Sequence, residues 1–262
     1  MDASNTAINA TTPGPHPSGP VDITVTNSDG NSATLPASDP SGFSYAAVTN
    51  IGQTLIVPGV NSASGATAQA SVVFLDSTKL VVVTVFWPTG GGTLASLTIT
   101  GGTFQPPLKT DLWSGYNVHT FYAENVPPSP NVAVMAMLSS PTTPSPWSMC
   151  VTVYDNVNAS NPMYAPNSLN SASTTTITPI IVDALDASDL IYAVAIAQTA
   201  GGAFITSGSL SAGSNFTPEQ NAAYVLIEDQ QTTAPGPVTV TASTAGTNTG
   251  RWYLLAAGIR HL

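Results

Sequence analysis

Asp189–Ala197 reads DLIYAVAIA, and it decides the fold. The run is too short to cross a membrane as a helix. It has no helix cap and is apolar on both faces of a period-2 pattern, which predicts a strand covered on both sides. Two further runs have the same character, Lys79–Trp87 (KLVVVTVFW) and Arg251–Ile259 (RWYLLAAGI). Between them lie shorter alternating segments: Ile51–Val57, Gln69–Asp76, Leu94–Thr100, Trp113–Asn125, Asn131–Leu138, Trp147–Asp155, Ser173–Val182, Ala203–Ser207, Ala222–Asp229 and Pro237–Ser243. Pro, Gly, Asn and Ser clusters punctuate them. Nothing longer than a turn has helical periodicity. The expected fold is all-β, an antiparallel jelly-roll-like β-sandwich over residues 46–262, preceded by a partial immunoglobulin-like β module over residues 1–45. No internal sequence repeat is visible by inspection.

Composition narrows the function classes. Charged residues make up only 7% of the chain, and the net charge is −10. Ser, Thr, Asn and Gly must therefore cover most of the surface. The basic residues Lys79, Lys109, Arg251 and Arg260 form no cluster, which excludes phosphate-backbone binding and gives no grip on an anionic membrane. Cys150 is the single cysteine, so no intrachain disulfide forms. Its apolar neighbours predict a buried thiol rather than a nucleophile. Met1–Gly14 has neither a basic start nor an apolar core and does not read as a signal peptide. Secretion returns as an option if the chain is cut from a longer one.

Residues 13–20 (PGPHPSGP) form a turn or extended linker. Val21-Asp22-Ile23-Thr24-Val25 then alternates, and Asn27-Ser28-Asp29-Gly30 has hairpin-turn chemistry. Together with Thr11-Thr12-Pro13, Ala33-Thr34-Leu35 and Phe43-Ser44-Tyr45, this segment resembles the C-terminal half of an IPT/TIG immunoglobulin-like domain, a family of bacterial surface and phage virion proteins. The family's opening strands have no counterpart here. Half a sandwich leaves an apolar face and an open edge, so Val21, Ile23, Val25, Phe43 and Tyr45 are the expected assembly residues, pairing with another chain by β-augmentation. A second resemblance runs through Leu80–Trp87, Val151–Met163, Thr174–Leu190, Tyr224–Asp229 and Gly250–Leu254. That order is similar to a β-sandwich module of phage tail or head appendages and modular secreted bacterial proteins. The resemblance implies a structural or adhesive role and carries no catalytic residues.

The chemistry-bearing residues are few. His119 sits in a strand near Asp111 and Glu124 without a nucleophile motif, so it reads as a packed strand-face histidine. Asp183, Asp186 and Asp189 share one turn and are the candidate calcium ligands, calcium being the one possible cofactor; turn-capping is the simpler role for such residues. Glu228-Asp229 ends a strand, and a glycosidase would need a further carboxylate across a cleft. Trp87 and Trp252 lie inside apolar runs and are expected in the core. Trp113, Tyr116 and Asn117, beside Ser114-Gly115, are the candidate surface platform for stacking a sugar.

These observations point away from an enzyme. The first expectation is a structural assembly protein of a virion surface or extracellular appendage, of phage head decoration, tail or fibre type. It would act by self-association or by contact with other structural subunits, without nucleic acid or membrane insertion. The alternative is a carbohydrate-binding or adhesive module of a secreted bacterial surface protein, with a cell-surface glycan as partner.

Overall fold

A computed structural model describes residues 47–62, 65–75, 79–140, 146–171, 177–199, 202–204, 210–222 and 224–262 apart from 245–248, together with four short strands between residues 19 and 45. Those four are β1 (Gly19–Val21), β2 (Ile23–Thr26), β3 (Ser32–Leu35) and β4 (Phe43–Tyr45). β2 pairs antiparallel with β3 in the register Val25↔Ala33, and β1 with β4 in the register Val21↔Phe43. The side chains of Val21, Ile23, Val25, Phe43 and Tyr45 lie outside the described residues, as does most of the IPT/TIG-like segment.

Next come β5 (Thr49–Pro58), β6 (Val60–Ser62), β7 (Gly65–Phe74), β8 (Lys79–Pro88), β9 (Leu94–Ile99), β10 (Lys109–Trp113), β11 (Tyr116–Val126), β12 (Ser129–Leu138) and β13 (Ser148–Asp155). They form a five-stranded sheet in the order β10-β11-β8-β13-β5 and a four-stranded sheet in the order β6-β7-β12-β9. Every described pairing is antiparallel, and no helix occurs among the described residues. The chain is all-β, as its periodicity requires.

The rest of the chain repeats this plan. β14 (Met163–Ser171), β15 (Ile180–Ala184), β16 (Leu190–Thr199), β17 (Leu210–Ala212), β18 (Thr217–Ala222), β19 (Val225–Gln231), β20 (Gly236–Val240), β21 (Ala242–Thr244) and β22 (Thr249–Ile259) follow in order. The inner sheet runs β14-β22-β16-β19-β18, and the outer layer is two ribbons, β15-β20 and β17-β21. If β6 is set aside and β20 and β21 are counted as one bent strand, the two halves are the same eight-strand jelly roll. One sheet takes the first, eighth, third, sixth and fifth strands, and the other takes the second, seventh and fourth. The topology thus repeats where no sequence repeat is visible. Ladder registers make Leu80, Val82, Thr84 and Phe86 equivalent to Leu190, Tyr192, Val194 and Ile196. Few identities survive at equivalent positions, because a core requires volume and apolarity more than a particular residue.

The two sandwiches stack through their inner sheets, giving four layers and three cores. Val81, Val83 and Val85 of β8 pack on Val132, Val134 and Ala136 of β12. The alternate residues Leu80, Val82 and Phe86 pack across the seam on Tyr192, Val194, Ile196 and Leu255. Beyond the seam, Ala193, Ala195 and Leu254 meet Ile180, Val182 and Val240 of the outer ribbons. This explains why the inner strands are apolar on both faces: each has a core on either side, and β8 and β16 are buried at all but their last residue.

Neighbouring residues of β22 therefore serve different cores. Leu254→Ala and Leu255→Ala are each expected to cost about 2–5 kcal/mol in denaturant unfolding. A cost below about 0.5 kcal/mol for either would mean that its face is not packed.

Candidate functional site

The polar groups that stand out are carboxyls set into these seams. Glu228 and Asp229 are consecutive on β19, so they point to opposite faces of the inner sheet. Asp229 turns into the seam, where its Oδ2 accepts hydrogen bonds from Asn50 Nδ2 at 3.3 Å and from the Tyr154 hydroxyl at 3.4 Å. Asn50 and Tyr154 belong to β5 and β13 of the other sandwich and stand opposite each other in register. Glu219, set in the bulge between Pro218 and Gln220 of β18, hydrogen-bonds Asp229. Burial raises both carboxyls above the usual range; the charge of Glu219 raises Asp229 further, while the hydrogen bond with Asp229 works against the shift of Glu219.

Glu228 enters the core of the second sandwich and is fully buried. Its Oε2 accepts from the Gly213 N–H at 2.8 Å, while Oε1 has no partner. Burial pushes its carboxyl up to about 7, with the Gly213 bond working against the shift. A Cβ on Gly213 would stand 2.4 Å from the Thr241 carbonyl oxygen, so this donor comes from a position closed to larger residues.

Asp189 is a second buried hub. Its Oδ2 accepts from the Tyr164 hydroxyl at 2.6 Å and from the Asp186 N–H at 3.1 Å. Its Oδ1 lies 3.1 Å from both the backbone N–H and the ring Nδ1 of His261. A bulge in β14, with Ala165 at φ 46°, accompanies the placement of Tyr164. The Tyr164 ring lies so close over Gly258 that a Cβ there would stand 2.1 Å from it. The carboxylate thus ties together β14, β16, the intervening turn and the chain terminus. The three candidate calcium ligands are placed differently. Asp183 is exposed, Asp186 contributes its backbone, and both oxygens of Asp189 are engaged. No cluster of three or more His, Cys, Asp or Glu that could hold a metal ion occurs among the described residues.

The stacking-platform expectation is corrected. Trp113 and Tyr116 are only 1% and 9% exposed. They flank a tight hairpin turn whose central residues, Ser114 and Gly115, have φ of 48° and 82°. That turn folds against the second sandwich. Arg251 Nη1 donates to Ser114 Oγ at 2.9 Å, and the same hydroxyl lies 3.2 Å from Gln198 Oε1. The rings join Phe86, Phe204, Tyr224 and Tyr253 in the seam, with Phe204 edge-on to Tyr116 at 5.1 Å. Asn117 is half-buried opposite Leu112 and Trp87. Trp87 and Trp252 are buried.

His119 packs edge-on to Trp87 at 4.7 Å, and burial lowers its pKa against the pull of Asp111. The ring is therefore neutral at pH 7. Burial pushes the Cys150 thiol up to about 12, which removes its nucleophilicity. Lys79, itself buried, pairs with Asp155 at 2.7 Å. Sequence reading missed Glu219, Asn50, Tyr154, Tyr164 and His261 as partners of the buried acids. Each is brought in by ladder register or chain closure, and local spacing carries no signal of either.

Chemically, these groups bind one another. Two open depressions on the outer layer of the second sandwich are lined by residues such as Ser214, Asn215, Thr239 and Thr241, and Thr232, Thr233 and Pro235. Neither includes a titratable side chain. A smaller one beside Lys79 and Glu124 includes none of Glu219, Glu228 and Asp229. Searches of family models, curated proteins and solved structures found no match to this chain.

Two outcomes test the seam acids and the hub. Glu219, Glu228 and Asp229 have folded-state pKa values above their unfolded ones, so the folded state binds more protons over the intervening range. Their contribution is fully present below about pH 4 and is lost as pH rises, through about 7 for Glu228 and Asp229. Melting temperature is expected to fall between pH 4.5 and 8, and Asp229→Asn to flatten that slope and raise stability at pH 8. A wild-type curve that climbs over this range contradicts the assignment. Asp189→Ala orphans the Tyr164, Asp186 and His261 donors and is expected to cost about 3–5 kcal/mol. Millimolar calcium, measured against chelator, is expected to leave the melting temperature unchanged.

Proposed function

We propose that this chain is a structural assembly protein of a virion surface or extracellular appendage, of the phage head decoration, tail or fibre kind, acting through contacts between β-subunits. The observation that carries the reading is how the buried acids and the aromatic cluster are used. The groups from which a reacting centre or sugar platform would be built, Glu228, Asp229, Trp113 and Tyr116, all face packing seams between sheets. With charged residues only 7% of the chain, its surface is poor in charge, as the core of a protein interface is. The partners in this reading are further copies of the chain or other structural subunits. The N-terminal strands carrying Val21, Ile23, Val25, Phe43 and Tyr45 supply additional pairing edges. With its rings inside the seam, the carbohydrate-binding alternative has no specific observation in its favour.

Immunogold labelling with an antibody to this chain, in the organism or particle preparation that encodes it, tests the reading. Label at regular spacing on particles or extracellular filaments is the expected result. Label confined to the cell interior, away from any particle, would refute it.

A further inference from the structure

We infer that the outer face of the first sandwich, the sheet β6-β7-β12-β9, is the surface through which one copy of this chain stacks on a second copy. The inference rests on the assembly reading and names the face it uses.

The argument starts from charge. Each copy carries a net charge of −10, so two copies repel wherever acid-bearing surfaces meet, and at physiological salt the repulsion acts within about 8 Å. The sequences of the four strands in this sheet, VNS, GATAQASVVF, SPNVAVMAML and LASLTI, contain no Asp, Glu, Lys, Arg or His. The corresponding layer of the second sandwich is broken into two ribbons and carries exposed Asp183. The rest of the sandwich is thus duplicated while this layer differs, which gives an internal comparison.

The face is uncharged where it is open and mixes apolar with small polar side chains. Alternation along β7 and β12 turns Ala68, Ala70, Val72, Val134 and Ala136 inward, and leaves Thr67, Gln69, Ser71, Val73 and Met137 outside with Met135 half-exposed. Val60 is 66% exposed, Val73 45% and Met137 36%. Register aligns Val60, Thr67, Met137 and Ser96 as one row across all four strands, with Gln69, Met135 and Thr98 as the next. Methionine adapts its shape to an opposing surface. The Gln53 amide bonds both the N–H and the carbonyl of Val73, holding the free edge of β7 as a neighbouring strand would. That edge is occupied there, which leaves the face for contact. The chain already joins its own two halves sheet to sheet, so a second copy stacked on this layer repeats a contact the fold is built on. The same patch meets itself about a two-fold axis.

At about 4.8 Å between strands and 3.3 Å per residue the face measures roughly 15 Å by 30 Å. This is less than the ~800 Å² per partner of a standard stable interface. The expected contact is weak, a two-fold pair that closes on itself and forms only at high concentration.

The test uses the full chain in sedimentation velocity from about 10 μM to 1 mM, the range in which a small interface reports. Three variants accompany it: Met137→Glu, Ile181→Glu on the exposed outer face of the second sandwich, and Thr98→Cys. Wild type and Ile181→Glu are expected to self-associate with rising concentration, with Met137→Glu at least tenfold weaker. Thr98→Cys, exposed on this face, is expected to react with thiol reagents in the dilute monomer and to be protected at concentrations where the chain associates. If Met137→Glu associates like wild type, this face is wrong and assembly through another surface stands. If wild type stays monomeric throughout, both the face and self-assembly by this chain alone fail. If the thiol introduced by Thr98→Cys resists thiol reagents in the monomer, the chain's own N-terminal segment covers the face and the proposal is overturned.

Discussion

The constraint on which the molecule depends is two-sided burial of its inner sheets. A sandwich of two sheets covers each on one face only and leaves the other to solvent, which demands polar residues at every second position. β8, β13, β16 and β22 do not alternate in this way. Their backbones can be satisfied only within a sheet, and their side chains only by a layer above and a layer below. Doubling the sandwich and pressing the halves together meets both demands. Much else follows from this, including the four layers, the aromatic cluster at the hairpin tip and the burial of carboxyls at the layer boundaries.

The acids show how such a seam handles polarity. Moving an ionised carboxylate out of water is costly without a cation. Among the basic residues Lys79 is committed to Asp155, Arg251 to Ser114, and Arg260 lies over the Tyr164 ring. For Asp229 and Glu228, burial raises the carboxyls to about 7, which shifts the balance towards the protonated form. Asp189 avoids the cost by gathering hydroxyl, amide and imidazole partners around both its oxygens. Acids of similar sequence character thus find different partners, decided by what register and chain closure bring beside them.

The class of fold was readable from the sequence, because period-2 patterning and turn residues are local properties. The three long apolar runs were correctly assigned as strands covered on both faces. What that implies is less local: one two-sheet sandwich cannot cover both faces of all three, so the number of layers was present in the pattern without being visible in it. The duplication was hidden because Val82 and Tyr192, or Tyr122 and Asp229, hold equivalent positions with unlike residues. Trp113 and Tyr116 looked superficial because Ser114, Gly115 and Asn117 are turn-formers. A hairpin tip is polar whether it meets water or docks on Arg251 and Gln198. His261, one residue from the end of the chain, gave no local sign that its ring closes on Asp189.

Joining the duplicated halves in one polypeptide has a consequence for the contact between them. Two separate sandwiches meeting through the same sheets would surrender translational and rotational freedom at each encounter, and a proton-dependent acid at their boundary would leave them prone to drift apart. A tether keeps each half at a high effective concentration beside the other. Any loosening at the Asp229 boundary then leaves the two halves side by side on one chain, so it cannot become a dissociation.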